Sequence, residues 1–284
     1  MRLMSQALRG TIDSHLRIVL TRLTDHPLLG FLLGALLTAI IQSSSAMTVV
    51  IVALVDAGVL SLLQAVPLII GANVGTTITA QIISLQLYQM IIPACTIGLL
   101  LICCRKTRGV GRVFLGLGLL FLGLRLMGLC LLPLLDLPAM QQLLLRCAGS
   151  PAYAFMVGVV VTALVQSSSA VTGIVIGLSV SQLFTLSAAL GLALGSNVGT
   201  CATALIASLG SGPNGKRVAF VHLIFNLVGV ALTMPFFPSF VRMVAGTAPD
   251  LPRQIANGHT LFNLQTAVIF LVPLVCYRLF GSNR

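Results

Sequence analysis

Two sets of polar residues in this chain could do chemistry, and each occurs twice. Gln42-Ser43-Ser44-Ser45-Ala46 returns 124 positions later as Gln166-Ser167-Ser168-Ser169-Ala170. Gly71-Ala72-Asn73-Val74-Gly75-Thr76 returns at the same offset as Gly195-Ser196-Asn197-Val198-Gly199-Thr200. A lone serine in an apolar chain is ordinarily packing or modest hydrogen-bonding glue between helices. Three successive serines cannot share one helix face, because neighbouring positions sit about 100° apart. With the glutamine they make a dense polar tip. Hydroxyls and freed carbonyls suit a hard cation, while helix N-termini offer N–H groups and partial positive charge to an anion.

The charges around these blocks narrow the chemistry further. Asp56 is the only charged residue between Gly30 and Leu85, and none lies between Ala154 and Leu209. A proton relay or cation pump relies on carboxylates inside the membrane, and apart from Asp56 both repeats lack them. A multiply charged anion would find no Lys or Arg there, so cations bound beside it must neutralise it. The serines have no nearby base to activate them, and neither a Ser-His-Asp arrangement, a metal-ligand spacing nor a phosphate-binding loop is present. The chain therefore reads as a non-enzyme with no cofactor.

The elements that must hold these tips are visible in the same repeat. Phe31–Leu85 superposes on Phe155–Leu209 without a gap, and 24 of 55 positions are identical. In each copy an apolar arm such as Pro27–Ile41 runs into the polar tip, and a second arm (Ala46–Val55) leaves it. Arms of about 10–15 residues are too short to cross about 30 Å of hydrocarbon, which predicts a re-entrant helical hairpin. A longer segment follows, Leu60–Leu85, with Gly71 and Gly75 around Asn73. Glycine weakens helices, so this segment is expected to be a broken transmembrane helix, the arrangement transporters use at the midplane.

Composition agrees. Of 284 residues, 57% are hydrophobic and only 7% charged, against about a quarter charged in soluble domains. The fold class is thus an all-α integral membrane protein, one transport domain over 1–284. Repeat one covers 1–104, repeat two 113–240, and a final helix 257–280. The net charge of +11 reflects basic loops that orient membrane proteins rather than nucleic-acid binding. Seven cysteines without a Cys-x-x-Cys pair argue against disulfides or zinc, and no cleavable signal peptide is visible.

The basic residues also test the topology. If both hairpins return to the side they entered, Leu60–Leu85 crosses outward, Leu87–Cys104 inward, Val113–Leu132 outward, Thr185–Leu209 inward, Val218–Phe240 outward and His259–Phe280 inward. Leaving Arg125 aside, 12 basic residues then fall inside, including Arg105, Lys106, Arg108 and Arg112, and only Arg146, Arg242 and Arg253 fall outside. Hairpins that ended on the opposite side would instead turn the 105–112 cluster outward, against the positive-inside rule. The favoured topology makes the two repeats inverted.

The paired Gln-Ser-Ser-Ser-Ala and Gly-Ala/Ser-Asn-Val-Gly-Thr blocks resemble those of the sodium-dependent phosphate cotransporter (Na/Pi, type II) family. His222-Leu-Ile-Phe225-Asn226 and His259-Thr260-Leu-Phe262-Asn263 resemble two further His-x-x-Phe-Asn elements of that family. The resemblance implies sodium-coupled movement of inorganic phosphate in a multi-pass plasma (inner) membrane protein, and leaves a homodimer open. It implies that Gln42, Ser43, Ser44, Ser45, Gln166, Ser167, Ser168 and Ser169 bind phosphate and Na⁺, with Asn73, Thr76, Thr77, Asn197 and Thr200 completing the site. Another oxyanion, or a phosphate-binding membrane partner without transport, would suit the same residues.

Three departures accompany the resemblance. Cys201 stands where the first copy has Thr77. A helix like Val113–Met127 is expected before the first copy, which begins at Met1-Arg2-Leu3-Met4, and no soluble PhoU-like tail is expected. His222 with Asn226, and His259 with Asn263, lie i, i+4 on one helix face and are expected to bond between helices rather than touch substrate. Arg125 is expected to snorkel, and Asp56, matched by Val180, lies outside the site.

Overall fold

The computed structural model describes Gln6 and residues 14–179 and 185–280, and every regular element among them is helical. The elements are α1 (Ser14–Asp25), α2 (Pro27–Ile41), α3 (Ser44–Asp56), α4 (Leu62–Ser84), α5 (Ile91–Ile102), α6 (Arg108–Leu135), α7 (Pro138–Gly149), α8 (Pro151–Val165), α9 (Ser168–Ser179), α10 (Leu186–Ser208), α11 (Pro213–Thr233), α12 (Phe237–Ala245) and α13 (Leu251–Phe280). Five stretches among the described residues are long and apolar enough to cross a membrane: Leu62–Ser84, Arg108–Cys130, Leu186–Ser208, Pro213–Ala245 and Leu251–Arg278. The beginning of the first copy, Met1–Met4, lies outside the described residues.

The 124-residue repeat is also a repeat of structure. Helices α2 and α4 begin and end 124 residues before α8 and α10, and α3 begins 124 before α9. Local chemistry explains the shared bounds. Pro27 and Pro151 occupy the first turn of α2 and α8, where a missing N–H is no loss. At the other end Gln42 and Gln166 take left-handed φ of 58° and 59° and close their helices on the Thr38 and Thr162 carbonyls. Ser43 and Ser167 then open α3 and α9 as caps, their hydroxyls accepting from Ala46 N and Ala170 N, each at 3.2 Å. Such a cap is worth about 1 kcal/mol. Ser61 and Gln64 start α4 with a reciprocal capping box.

One expectation needs correction. The Gly71–Gly75 and Gly195–Gly199 segments do not break their helices: α4 and α10 are each continuous over 23 residues. The glycines serve close packing. A Cβ on Gly71 would collide with the Phe31 carbonyl oxygen, and one on Gly75 with that of Ala35. Gly195 and Gly199 meet Phe155 and Val159 in the same way, and Gly34 and Gly158 present the reciprocal faces to Leu68 and Leu192. This is small-xxx-small packing, in which missing side chains let membrane helices touch backbone to backbone; it outweighs the intrinsic helix penalty of glycine.

The Leu87–Cys104 segment, expected to cross, is divided. It forms a short 3₁₀ turn, Tyr88–Met90, and the 12-residue α5, about 18 Å long at 1.5 Å per residue. α5 and the start of α6 interlock through Gly98, Gly111 and Gly118. The last helix also starts at Leu251, ahead of the expected 257.

On the α2 and α8 arms, burial runs opposite to that of a soluble protein. The inner face of α2 carries Gly30, Gly34 and Thr38, while Leu28, Leu29, Leu32, Leu36 and Ile40 point outward. α8 repeats this with Gly158 and Thr162 inward and Met156, Val160 and Leu164 outward. Small residues bring helices together and large apolar ones face hydrocarbon, where they gain nothing from hiding.

Candidate functional site

The two polar tips meet. The Ser45 hydroxyl donates to the Gln166 carbonyl oxygen at 3.1 Å, across 121 residues of sequence. The packing of the arms brings this about: α3 lies against both α4 and α10, and α9 against both α10 and α4. Each second arm thus spans the two repeats, and the N-terminal ends of α3 and α9 converge. Apart from Asp56, no Lys, Arg, Asp or Glu occurs in either repeat segment around their first-turn N–H groups and partial positive charge.

Within the first tip, the Gln42 amide donates to the Ala39 carbonyl, and its oxygen accepts from the Thr79 hydroxyl at 2.6 Å. A non-glycine residue at positive φ is uncommon, and these two bonds help hold Gln42 there. Ser43 and Ser167 are engaged as caps. Ser44 and Ser168 are 7% and 4% exposed, and among the described residues no hydrogen bond occupies either side-chain hydroxyl.

The helix residues behave differently from the tips. Thr76, Thr77 and Thr200 are buried and donate to carbonyls of their own helices, Ala72, Val74 and Ser196, at 2.7–2.9 Å. Their lone pairs stay free to accept. Asn73 and Asn197 bond to no tip serine. Asn73 donates from Nδ2 to Asn226 Oδ1 at 3.0 Å and meets His222 Nε2 at 3.2 Å. Asn197 Oδ1 meets His259 Nε2 at 3.1 Å. The His-x-x-Phe-Asn elements on α11 and α13 therefore tie down the asparagines of α4 and α10, the interhelical role expected of them. Cys201 lies in this network, accepting from Asn226 Nδ2 at 3.3 Å.

Several polar groups escaped the sequence reading. The hydroxyls of Thr38, Thr48, Thr162 and Thr203 are buried without a partner. The signal was present, since Thr38, Thr48 and Thr79 recur as Thr162, Thr172 and Thr203. Thr48 and Thr172 differ for a reason of sequence: Thr172 faces the Ser196 hydroxyl at 3.4 Å, where the first copy has Ala72. Asp56 accepts from Gly212 N at 2.7 Å, as a loop anchor away from the tips. Arg125 is exposed on α6. No group of three or more His, Cys, Asp or Glu among the described residues could hold a metal.

Paired helical repeats with converging uncharged tips define a multi-pass membrane protein of the transporter type. The chain belongs to the Na⁺/Pi-cotransporter family, which it matches over residues 1–128 and 134–247. It is 37% identical over 260 residues to the uncharacterized protein YqeW of Bacillus subtilis (strain 168), covering 90% of this chain and 84% of that one. It is 26% identical over 261 residues to YjbB of Escherichia coli (strain K12), provisionally named an inorganic phosphate export protein, covering 91% of this chain and 48% of that one. The human sodium-dependent phosphate transport protein 2B shares 44% identity over 62 residues, 22% of this chain and 9% of that one. The chain thus spans about half the length of YjbB. No solved structure is significantly similar to it.

Proposed function

We propose that this chain is a secondary transporter that moves inorganic phosphate across the plasma membrane coupled to Na⁺. The observation that carries this reading is the junction of two uncharged polar tips at Ser45 and Gln166. Phosphate would sit at the converging N-termini of α3 and α9, held by N–H groups and by the hydroxyls of Ser44, Ser45, Ser168 and Ser169. Na⁺ would take hydroxyl and carbonyl oxygens from the same tips and from Thr76, Thr77 and Thr200, with Gln42, Gln166, Asn73 and Asn197 supporting. With no cationic side chain available, the anion binds well only when its counter-ions bind too, and this is the physical origin of coupling. Direction then follows the gradients, which accommodates relatives named for sodium-dependent transport and for export.

In this reading the α2–α3 and α8–α9 pairs are re-entrant hairpins that dip from opposite sides. Arms of 12–15 residues are about 18–23 Å long, short of the hydrocarbon thickness. Inversion of the repeats further requires the Tyr88–Ile102 stretch to cross, with local thinning of the bilayer making up its length and the basic 105–112 cluster anchoring its inner end.

Sealed vesicles carrying the protein test this directly. Labelled phosphate should accumulate under an inward Na⁺ gradient and not when K⁺ replaces Na⁺. Equal uptake in the two salts rejects sodium coupling; binding without flux makes the chain a phosphate-binding membrane protein; and stronger competition by unlabelled sulfate or arsenate than by phosphate reassigns the substrate.

A further inference from the structure

The two halves fill the space beside their paired arms with side chains of different size. In the first half Leu33 and Leu37 of α2 pack with Met47 and Ile51 of α3 in one core cluster. At the 124-residue offset stand Val157, Val161, Val171 and Val175, four valines for two leucines, a methionine and an isoleucine. These valines line a cavity of about 160 Å³, closed by α7, α10 and the end of α6. On α8 and α9 only Ile174, for Val50, is a lining residue larger than its counterpart. The rest of the wall is leucine, Met140 and Cys147, so no polar side chain but the thiol faces the cavity. Leu135 and Leu144 also border a larger cleft of about 780 Å³, where Asp136 and Gln141 bring a carboxylate and an amide.

A void with this lining stays dry, because water in it would lack polar partners, and the surrounding atoms forgo dispersion contacts that hydrocarbon could supply. We propose that the cavity binds one acyl chain of a membrane phospholipid whose ammonium headgroup lies in the adjoining cleft. The chain enters past Leu135 and Leu144 and ends among the four valines. The wall chooses hydrocarbon, and a chain that lives in a membrane is surrounded by lipid tails. The Asp136 carboxylate complements an ammonium headgroup and repels an anionic one. On α7, Gln141, Gln142 and Arg146 are exposed, while Leu143 and Leu144 are half-buried and Cys147 is buried. A helix so divided lies at the membrane–water boundary, where a headgroup belongs. The seated chain packs against both α8 and α9, the arms that carry the second polar tip, and so ties that hairpin to the surrounding lipid. In the first half, larger side chains of the protein itself occupy the matching positions. The inference needs the membrane location and not the transport reading.

The test uses the full chain in phosphatidylethanolamine vesicles that contain a small share of an analogue photoactivatable near the end of one acyl chain. Val171 and Cys147 are buried, so a lipid tail reaches them only from within the cavity, whereas Met156 and Leu164 are exposed on the outer face of α8. After illumination, cross-links should map to Val171 and Cys147 as well as to Met156 and Leu164. Val157→Leu combined with Val175→Ile restores the first-half residues and fills the cavity. It should lower the cavity cross-links about ten-fold, since each of the two methylenes displaced is worth about four-fold in binding, and leave those on Met156 and Leu164 unchanged. A phosphatidylglycerol analogue should label the cavity more weakly. Cross-links confined to the outer face, cavity cross-links undiminished in the filled variant, or equal cavity labelling by the two headgroups overturns the proposal. Should the double variant fold poorly, the mapping and the headgroup comparison on the unsubstituted protein still decide. Absence of phosphate flux counts against the transport reading alone, because the cross-linking needs no transport.

Discussion

The hydroxyl of Ser45 donates to the backbone carbonyl of Gln166 at 3.1 Å, joining the polar tip of one repeat to that of the other. The two residues occupy non-equivalent places in their motifs, so the contact is one-sided. It ties together the ends at which α3 and α9 begin.

Removing that contact tests its weight. Ser45→Ala should lower sodium-driven phosphate flux about two- to ten-fold, as one net hydrogen bond implies, whereas Ser45→Thr, which keeps the hydroxyl, should retain more flux. Alanine and threonine variants of equal flux would show that the tip junction does not shape the site.

Ser44 and Ser168 are buried yet bonded to nothing among the described residues, so their hydroxyls are available to a ligand. Ser44→Ala and Ser168→Ala delete no internal bond. Each should cut flux at least about ten-fold, as losing a hydrogen bond to a charged ligand implies, while leaving the thermal unfolding temperature within a degree or two. Normal flux in both variants would remove these serines from the site.

The glycine contacts make a prediction about stability. Gly71→Ala or Gly195→Ala drives a methyl group into the backbone of α2 or α8, and overpacking of this kind costs about 1–3 kcal/mol or more. Both should lower the unfolding temperature in detergent. Gly116 and Gly123 have open space around a Cβ, and alanine there should be neutral or mildly stabilising, because alanine favours helix by up to about 1 kcal/mol. If all four behave alike, close packing is not what the repeated glycines are for.

Sidedness follows from the cysteines. Cys103 and Cys104 are exposed beside the basic 105–112 cluster. A membrane-impermeant maleimide should label them only when the cytoplasmic face is accessible, as in inside-out vesicles. Cys147 is buried, and burial pushes its thiol up in pKa, so it should react more slowly than Cys103 and Cys104. Labelling of Cys103 and Cys104 from the outside would mean that Tyr88–Ile102 does not cross, and that the repeats are not inverted.

Much was legible in the sequence because periodicity and repetition are local properties. The equivalence of α2–α4 with α8–α10, the start of each polar tip and the absence of charge around it all follow from residues read in order. Pairing across the molecule was not legible. Nothing in Gly71-Ala72-Asn73-Val74-Gly75 distinguishes a helix that unwinds from one that admits a neighbour's backbone. The choice depends on Phe31 and Ala35 arriving opposite those glycines, which no local propensity encodes.

By itself the chain determined that it must live in a membrane, that it is built twice over, and which hydroxyls and amides stand where charge is missing. Only the tertiary structure decided that Ser45 reaches the opposite tip, that Asn73 and Asn197 turn to His222 and His259 rather than to the serines, and that identical residues are bonded in one half and unbonded in the other. Repeated sequence supplies both tips with the same hydroxyls and amides. Which of them are bonded depends on the placement of whole helices, a property of the packed assembly and not of any one residue.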